Sequence, residues 1–360
     1  MPIFSLMINV DYIIIGQGIS GTWLSYYLLK KNKTVIVIDK NDDESASNVA
    51  GGLINPVTGR RVVTTWMADE LLPFIYKEYK AIGDVLSTEI IRQKNITVFP
   101  SAPDLQEAFD KRMQEENSYI KAATIDKDLL RQSFNFPFNA FEISPCYIVN
   151  MRLLLSNWQQ YLQSKNVLLN EFFNETQVEF KDDLVQYKNI SAKKIIYADG
   201  IQSANSKYWR NLPFVQNKGQ ALLIEIDDLN DHYIYKFGHL TLVPFEKNNW
   251  WVGSSNELSF TTNEPTEDFR NKTMASLKSI LKKDFIVKEH WSSLRPATVE
   301  RRPFVGLHPL YNQLAILNGM GSKGCSLAPW FAKQLADNLV DEKPLDVLAD
   351  VQRFSRMLSR

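Results

Sequence analysis

Three glycines near the N-terminus have the spacing of a dinucleotide-binding turn. Asp11–Ile15 is a short apolar run typical of a strand buried in a parallel sheet, and it leads directly into Gly16-Gln-Gly18-Ile-Ser-Gly21. Gly16 permits a tight turn, Gly18 lets backbone N–H groups approach a pyrophosphate, and Gly21 lets the following helix pack closely on the strand. Asp39 ends the next β-branched run, where a carboxylate can accept from both hydroxyls of an adenosine ribose. The motif predicts dinucleotide binding without distinguishing FAD from NAD.

The elements around this turn predict an α/β protein with two interleaved domains. One βαβ unit lies at the N-terminus, and α/β patterning returns at the C-terminal end. Antiparallel strands are expected between them, and no linker separates the parts. Asn150 is a candidate helix N-cap. The apolar patterns predict helices at 66–80, 103–117, 150–163, 266–283 and from about 326, and strands at 34–38, 194–198, 221–226, 239–244, 249–253 and 314–317.

Composition excludes several classes of protein. The 360 residues include 41 basic and 41 acidic side chains, and zero net charge gives no general attraction to nucleic acid or anionic membrane. No stretch approaches the roughly 18 apolar residues of a membrane span, and the start lacks the basic region of a signal peptide. Two cysteines are too few for a disulfide framework, so a reduced, cytoplasmic protein is expected. The four histidines show no metal-ligand spacing, and no metal is predicted.

Two later loops expose backbone in the same way as the N-terminal turn. Ala46–Pro56 follows Asp39 directly, and Asn318–Pro329 leads into a helix. Together with Trp291–Thr298 and Arg302–Gly306, these segments resemble the D-amino-acid oxidase/glycine oxidase family of FAD enzymes, in the same order along nearly the whole chain. The resemblance implies an oxidoreductase with a discontinuous, Rossmann-like FAD-binding domain and a second α+β substrate domain built on an antiparallel sheet. We expect the first domain over 1–75, 145–214 and 290–360, and the second over 76–144 and 215–289.

The resemblance also implies which residues hold FAD. The loop before the last helix would lie along the flavin edge, and the positive end of that helix would stabilise the negative charge of reduced flavin. Cys325 does not match the attachment motif of the related sarcosine oxidases, so the implied FAD is non-covalent. The implied cofactor residues are Gly16, Gly18, Ile19, Ser20, Gly21, Asp39 and Lys40 for the ADP half, Ser47, Ala50, Gly51, Gly52, Ala198 and Gly200 for the pyrophosphate and flavin, and Gly319, Met320, Gly321, Ser322, Lys323 and Gly324 along the flavin edge.

Arg295 matches the family arginine that clamps the substrate carboxylate, and a planar guanidinium suits bidentate carboxylate binding. Such a clamp positions the α-carbon over flavin N5, so a hydride can pass without a protein base. Thr241 stands where characterised glycine oxidases have a tyrosine, and Ser322, beside Lys323, stands where they contribute an arginine. Arg295, Thr241 and Lys323 are therefore the predicted substrate-site residues, and glycine itself is not the expected substrate.

Four further positions near the expected substrate site need an interpretation. Trp250 and Trp251 are adjacent in a predicted strand, so they must point to opposite faces, and one could wall the active site. His239 could face the flavin from the preceding strand. Gly219 is interpreted as a backbone requirement and not as a ligand.

The preferred function is oxidation of the C–N bond of an amino acid or N-substituted amino acid, a carboxylate-bearing amine, with oxygen or another electron acceptor. Alternatives are 2-hydroxy-acid oxidation on the same fold, and FAD-dependent modification of a tRNA wobble uridine, because residues 51–56 are similar to the FAD domain of that enzyme. Zero net charge disfavours nucleic acid as a partner. A flavin-binding structural or sensor protein and an NAD-dependent dehydrogenase also stay open, as do the substrate's identity and the oligomeric state.

Overall fold

A computed structural model describes residues 7–59, 61–115 and 118–360. Residues 1–6, for which no signal peptide is predicted, and the last two residues of the predicted helix 103–117 lie outside these ranges. The strands are β1 Ile8–Ile15, β2 Val35–Asp39, β3 Leu53–Ile54, β4 Val57–Thr58, β5 Val63–Thr64, β6 Ile91–Gln93, β7 Ile96–Phe99, β8 Ile120–Ala122, β9 Phe141–Ile143, β10 Tyr147–Val149, β11 Leu168–Asn170, β12 Val178–Lys181, β13 Leu184–Tyr187, β14 Ile190–Tyr197, β15 Phe214–Glu225, β16 Ile234–Phe237, β17 Leu240–Pro244, β18 Asn249–Gly253, β19 Ile286–Thr298, β20 Phe304–Leu307 and β21 Leu314–Asn318. The helices are α1 Ile19–Lys30, α2 Ala68–Val85, α3 Pro103–Met113, α4 Lys127–Ser133, α5 Met151–Ser164, α6 Glu267–Ile280, α7 Gly324–Asp341 and α8 Ser355–Leu358.

The first sheet has a parallel centre. β1 pairs in parallel with β2 on one side and β14 on the other, and β11 and β21 extend the parallel order outward. β20 and the β12–β13 hairpin pair antiparallel at its margins. Because β1 lies between β2 and β14, the turn at Gly16 opens at the carboxyl edge of the sheet, where ligands bind in folds of this kind.

Helices α1, α2, α5 and α7 cover one face of this sheet with a continuous apolar core. The predicted cap of α5 is confirmed, because the Asn150 side chain accepts from the Leu153 amide at 3.1 Å. Trp158, on the inward face of α5, donates from Nε1 to Ser25 Oγ at 2.8 Å, which ties α5 to α1. The other face of the sheet packs against Trp209 and the C-terminal Phe354.

Helix α7 begins earlier than predicted. It starts at Gly324 and not near Ser326, so Pro329 lies beyond the first turn, where proline leaves the carbonyl four residues earlier without its helical donor. That carbonyl belongs to Cys325, and the buried Tyr79 hydroxyl of α2 donates to it at 2.9 Å. Tertiary packing between α2 and α7 therefore supplies the hydrogen bond that the helix cannot make.

The second sheet is mostly antiparallel, in the order β19-β15-β18-β17-β16-β7-β9-β8. Its two faces carry separate cores, one under α4 and α6 and the other under α3 and the β4–β5 hairpin. Trp250 belongs to the first core and Trp251 to the second, so the predicted opposite orientation of this pair is confirmed. The long strands β15 and β19 pair through the register Gly219↔Ser293, and β19 is the edge strand of the sheet.

The predicted class, a mixed α/β fold containing an antiparallel sheet, is the class observed. The division into two domains stays a prediction. Its boundaries at residues 75/76 and 289/290 fall inside α2 and β19, and each of these elements continues without a break.

We expect a side chain at position 21 of the N-terminal turn to be excluded by close packing and not by backbone strain. A Cβ at position 21 would lie 1.8 Å from the carbonyl oxygen of Gly16, whereas a Cβ at Gly59 meets no atom within 4 Å although its φ is +74°. Gly21→Ala should destabilise the protein by about 3 kcal/mol, and Gly59→Ala by about 1 kcal/mol, the effect of a left-handed φ alone. Urea unfolding measures both, and equal effects would contradict the packing argument.

Candidate active site

A cleft of about 1120 Å³ lies between the carboxyl edge of the parallel sheet and the second sheet. One wall is formed by the turn at Gly16, by Asp39 and by Ser47, and the other by Trp251 and Arg295. Small-molecule sites usually occupy roughly 300–1,000 Å³. The cleft is therefore large enough for an extended cofactor together with a substrate.

The N-terminal turn is shaped to bring backbone close to a ligand. Gly16 has φ +93°, and a Cβ there would lie 2.6 Å from the carbonyl oxygen of Ala198. Ser47 Oγ accepts from the Ile19 amide at 3.0 Å, which fixes the second loop against the start of α1. The N-terminus of α1 lies at the cleft, and the positive end of its helix dipole suits a pyrophosphate.

Asp39 is held at the end of β2 by backbone donors. Its Oδ2 accepts from the Gln17 amide and its Oδ1 from the Asn41 amide, both at 2.6 Å. The carboxylate therefore lies at the edge of the cleft beside the glycine turn, in the position predicted for ribose binding. Lys40, next to it, forms an ion pair with Asp42 at 2.7 Å.

Most of the predicted cofactor residues meet at the cleft. Four of the predicted glycines do not line it, because each is packed against another part of the chain. A Cβ would lie 2.7 Å from the Trp251 ring at Gly51, 1.9 Å from the Val149 carbonyl at Gly52 and 2.6 Å from Thr298 at Gly319, and Gly21 packs under Gly16. The predicted cofactor residues that line the cleft are Gly16, Gly18, Ile19, Ser20, Asp39, Lys40, Ser47, Ala50, Ala198, Gly200, Met320, Gly321, Ser322 and Gly324.

The Arg295 guanidinium is fixed along one edge and open along the other. Nη1 donates to Asn217 Oδ1 and to the Ser255 carbonyl, each at 3.1 Å. Neither Nη2 nor Nε has an acceptor among residues 7–59, 61–115 and 118–360. Burial lowers the pKa of Arg295, and the charge of Glu257 opposes that shift, but an arginine stays protonated. The Arg295 side chain lines the cleft, and within the described residues two donor nitrogens of its largely buried guanidinium are unpaired.

Gly219 explains how this guanidinium fits. A Cβ at position 219 would lie 1.9 Å from Nη2 and 2.1 Å from Cζ of Arg295. The guanidinium therefore lies directly against the backbone of β15. The predicted reason for a glycine here, a backbone requirement, agrees with this geometry.

Trp251 lines the cleft, whereas Thr241, which was predicted to be part of the substrate site, does not. Its indole lies between Gly51 and Gly253, with ring atoms 2.7 Å and 2.9 Å from where their Cβ atoms would be. Thr241 pairs with Gly253, and the Trp251 ring lies over the backbone of Gly253. Thr241 itself does not line the cleft. Its hydroxyl instead accepts from Lys236 at 3.5 Å. His239 is exposed in the turn before β17, so its predicted pocket role is wrong.

Lys323 lies next to the cleft without lining it. It occupies the 3-10 turn Gly321–Lys323 that precedes α7, and the cleft is lined by its neighbours Ser322 and Gly324. Burial lowers the pKa of Lys323 to about 8. Within the described parts of the chain its amine has no hydrogen-bond or ion-pair partner.

Sequence reasoning missed several cleft residues. Arg152, in the first turn of α5, places its guanidinium 4.3 Å from the ring centroid of Trp291. Gln159 and Phe172 line the cleft near Asp39. A basic residue two positions after the predicted N-cap was a usable signal for Arg152, because cations are unfavourable at helix N-termini. The other two had no signal, since chain folding alone brings them to the site.

Comparison with known proteins decides the family. The family model described as FAD dependent oxidoreductase (DAO) matches residues 11–338. The chain belongs to this family of FAD-dependent oxidoreductases. It is 22% identical to glycine oxidase from Bacillus subtilis (strain 168), over 93% of this chain and 94% of that protein.

Two further comparisons show how far the similarity reaches. The tRNA 5-methylaminomethyl-2-thiouridine biosynthesis bifunctional protein of Marinobacter nauticus is 22% identical over 92% of this chain, which spans 55% of that protein. The crystal structure of iminodiacetate oxidase from Chelativorans sp. BNC1 superposes with a TM-score of 0.76 at 19% identity, covering 94% of this chain and 97% of that one. This likeness confirms the predicted fold.

The residues of this DAO protein fit FAD. The glycine turn, the start of α1 and the fixed carboxylate of Asp39 would hold the ADP part of the cofactor, and the adjoining cleft extends to Trp251 and Arg295. In the described part of the chain, no three His, Cys, Asp or Glu side chains form a group that could hold a metal ion. None of the described helices is both long and apolar enough to cross a membrane.

Asp199 is a second carboxylate in the cofactor cleft. Its Oδ1 accepts from the Ser203 hydroxyl and, at 3.5 Å, from the Asn318 amide. Burial raises the pKa of Asp199 from 3.8 to about 7, although the bond from Ser203 opposes the shift. The carboxyl group is therefore about half neutral near pH 7.

The raised pKa of Asp199 predicts that the stability difference between wild type and Asp199→Asn depends on pH. Because the folded protein binds more protons than the unfolded chain between about pH 4 and pH 7, ionisation of Asp199 lowers stability as the pH rises through that window. Asp199→Asn should therefore melt at a higher temperature than wild type at pH 8, and the difference should shrink towards pH 5. Thermal unfolding at both pH values measures it, with the exposed Asp284→Asn as control. A difference that is the same at both pH values would contradict the assignment.

Proposed function

We propose that this FAD-dependent oxidoreductase oxidises the C–N bond of an amino acid or N-substituted amino acid whose carboxylate is held by Arg295. The observation that carries the proposal is the largely buried guanidinium of Arg295, a residue that lines the cleft and whose Nη2 and Nε donors have no acceptor in the described part of the chain. A buried donor without a partner is costly, and a carboxylate supplies two acceptors in matching geometry.

FAD supplies a hydride acceptor when it is bound. The chain's own contribution is positioning: Asn217 and the Ser255 carbonyl fix the guanidinium, and Gly219 lets it lie flat on β15. A substrate held at both carboxylate oxygens loses rotational freedom, so its α-carbon is presented in one orientation. The Trp251 ring lies against the backbone of Gly51 and Gly253 and forms an aromatic wall of the site.

The names of similar proteins support a carboxylate-bearing amine. Two of them are named for the oxidation of glycine and of iminodiacetate, and both compounds are amines that carry a carboxylate. A 2-hydroxy acid would present the same carboxylate to Arg295, so the substrate panel must contain hydroxy acids as well as amino acids. A tRNA substrate is not favoured, because the chain has zero net charge.

Arg295→Gln should weaken carboxylate binding by about 2–5 kcal/mol, because it removes one partner of a buried charge pair. FAD should stay bound. The measurement is anaerobic bleaching of the flavin by a panel of amino acids, N-alkyl amino acids and hydroxy acids, followed by readmission of oxygen with peroxide detection. Arg356→Gln, at an exposed arginine, is the control. Unchanged bleaching in Arg295→Gln, or no bleaching of wild type by any member, would refute the proposal.

Gly219→Ala should act through Arg295 and not directly on substrate. Its Cβ would overlap the guanidinium, so carboxylate binding should weaken at least tenfold with FAD affinity unchanged. In the Arg295→Gln background the same change should weaken carboxylate binding little further, because the effects of substitutions at two contacting residues are not additive. Full additivity in this double-mutant cycle, measured by titration calorimetry, would contradict the assigned contact.

A further inference from the structure

A second arginine, Arg152 of helix α5, lines the same cleft beside Trp291 of β19. Arg152 places its guanidinium carbon 4.3 Å from the ring centroid of Trp291 and 5.4 Å from that of Phe245. Contacts of this kind stabilise a cation by roughly 0.5–2 kcal/mol. Aromatic surface, and not a counter-charge, therefore keeps this guanidinium in place.

The donors of Arg152 are largely unused. Nε donates weakly to the Asn48 carbonyl at 3.4 Å, and within the described residues Nη1 and Nη2 have no acceptor. Glu246 and Glu289 line the same cleft, but neither forms an ion pair with Arg152, and Glu289 accepts from Trp291 Nε1 at 2.6 Å.

The position of Arg152 in its helix also argues for a ligand. It lies in the first turn of α5, where the helix dipole disfavours a cation. The aromatic rings hold the guanidinium in place, but neither they nor the helix nor an ion pair supplies an acceptor for Nη1 and Nη2 within the described residues. An anion bound in the cleft would supply it.

The register of β19 relates the two arginines. The guanidinium of Arg295 lies over Gly219, which pairs with Ser293, and Trp291 is the next residue on that face of the strand. Two residues of strand rise about 7 Å. The cleft thus presents two cations, one against Gly219 and one over the ring of Trp291, and the β19 positions beside them, 293 and 291, are adjacent on one face of the strand.

We infer that the substrate carries a second acidic group, which Arg152 binds while Arg295 holds the first. The inference rests on the proposed function and narrows it to dicarboxylic amino acids or N-carboxyalkyl amino acids. Nη1 and Nη2 of Arg152 can both donate to one carboxylate. The inner acid orients the reacting carbon, and the outer acid determines which substrates fit.

Titration calorimetry of the FAD-loaded protein tests this with unreactive ligands of matched length. Glutarate and adipate should bind at least tenfold more tightly than pentanoate and hexanoate. Arg152→Gln should abolish that preference and leave pentanoate affinity within about twofold of wild type. Arg152→Lys keeps the positive charge but loses the planar pair of N–H donors, so it should retain part of the preference for diacids. The exposed Arg356→Gln should change nothing.

Each other outcome overturns the inference. Equal binding of diacids and monoacids by wild type would show that no second acid is recognised. Equal weakening of both classes in Arg152→Gln would make Arg152 part of the general site, and a loss of FAD affinity would make it a cofactor contact. Failure of the proposed function is separate, since it would show as unchanged pentanoate binding in Arg295→Gln.

Discussion

The whole site depends on one buried cation whose hydrogen bonds are only half made. Asn217 and the Ser255 carbonyl take one edge of the Arg295 guanidinium, and its other edge has no protein acceptor. Such an arrangement is stable only because a guanidinium is weakly hydrated compared with an ammonium and resists deprotonation. The rest of the cleft can be understood as the structure needed to place a flavin and a carboxylate against that free edge.

Close backbone approach builds the walls of the cleft. The Trp251 indole fits between Gly51 and Gly253, and the Arg295 guanidinium lies on Gly219. The contact between Trp251 and Gly51 joins the second sheet to the loop after Asp39, whereas the contacts with Gly253 and Gly219 lie within the second sheet. The missing side chains at these glycines leave room for an aromatic wall and a cation in one narrow space.

The N-terminal half of the cofactor site was accessible to sequence reasoning because its determinants are local. The Gly16 turn, the strand-end Asp39 and the Asn150 cap depend on residues close together in the chain. The substrate side was less accessible because its determinants come from strand register. Thr241 was expected at the cleft, but its pairing with Gly253 under the Trp251 ring keeps it away. Arg152 reaches the cleft only through tertiary packing against Trp291.

The most direct test of the central claim is a crystal structure of the FAD-loaded protein with pentanoate bound. The account predicts both carboxylate oxygens at about 3 Å from Nη2 and Nε of Arg295, with Asn217 and Ser255 still holding Nη1. A carboxylate bound elsewhere, with that edge of Arg295 still empty or covered by the cofactor itself, would contradict it.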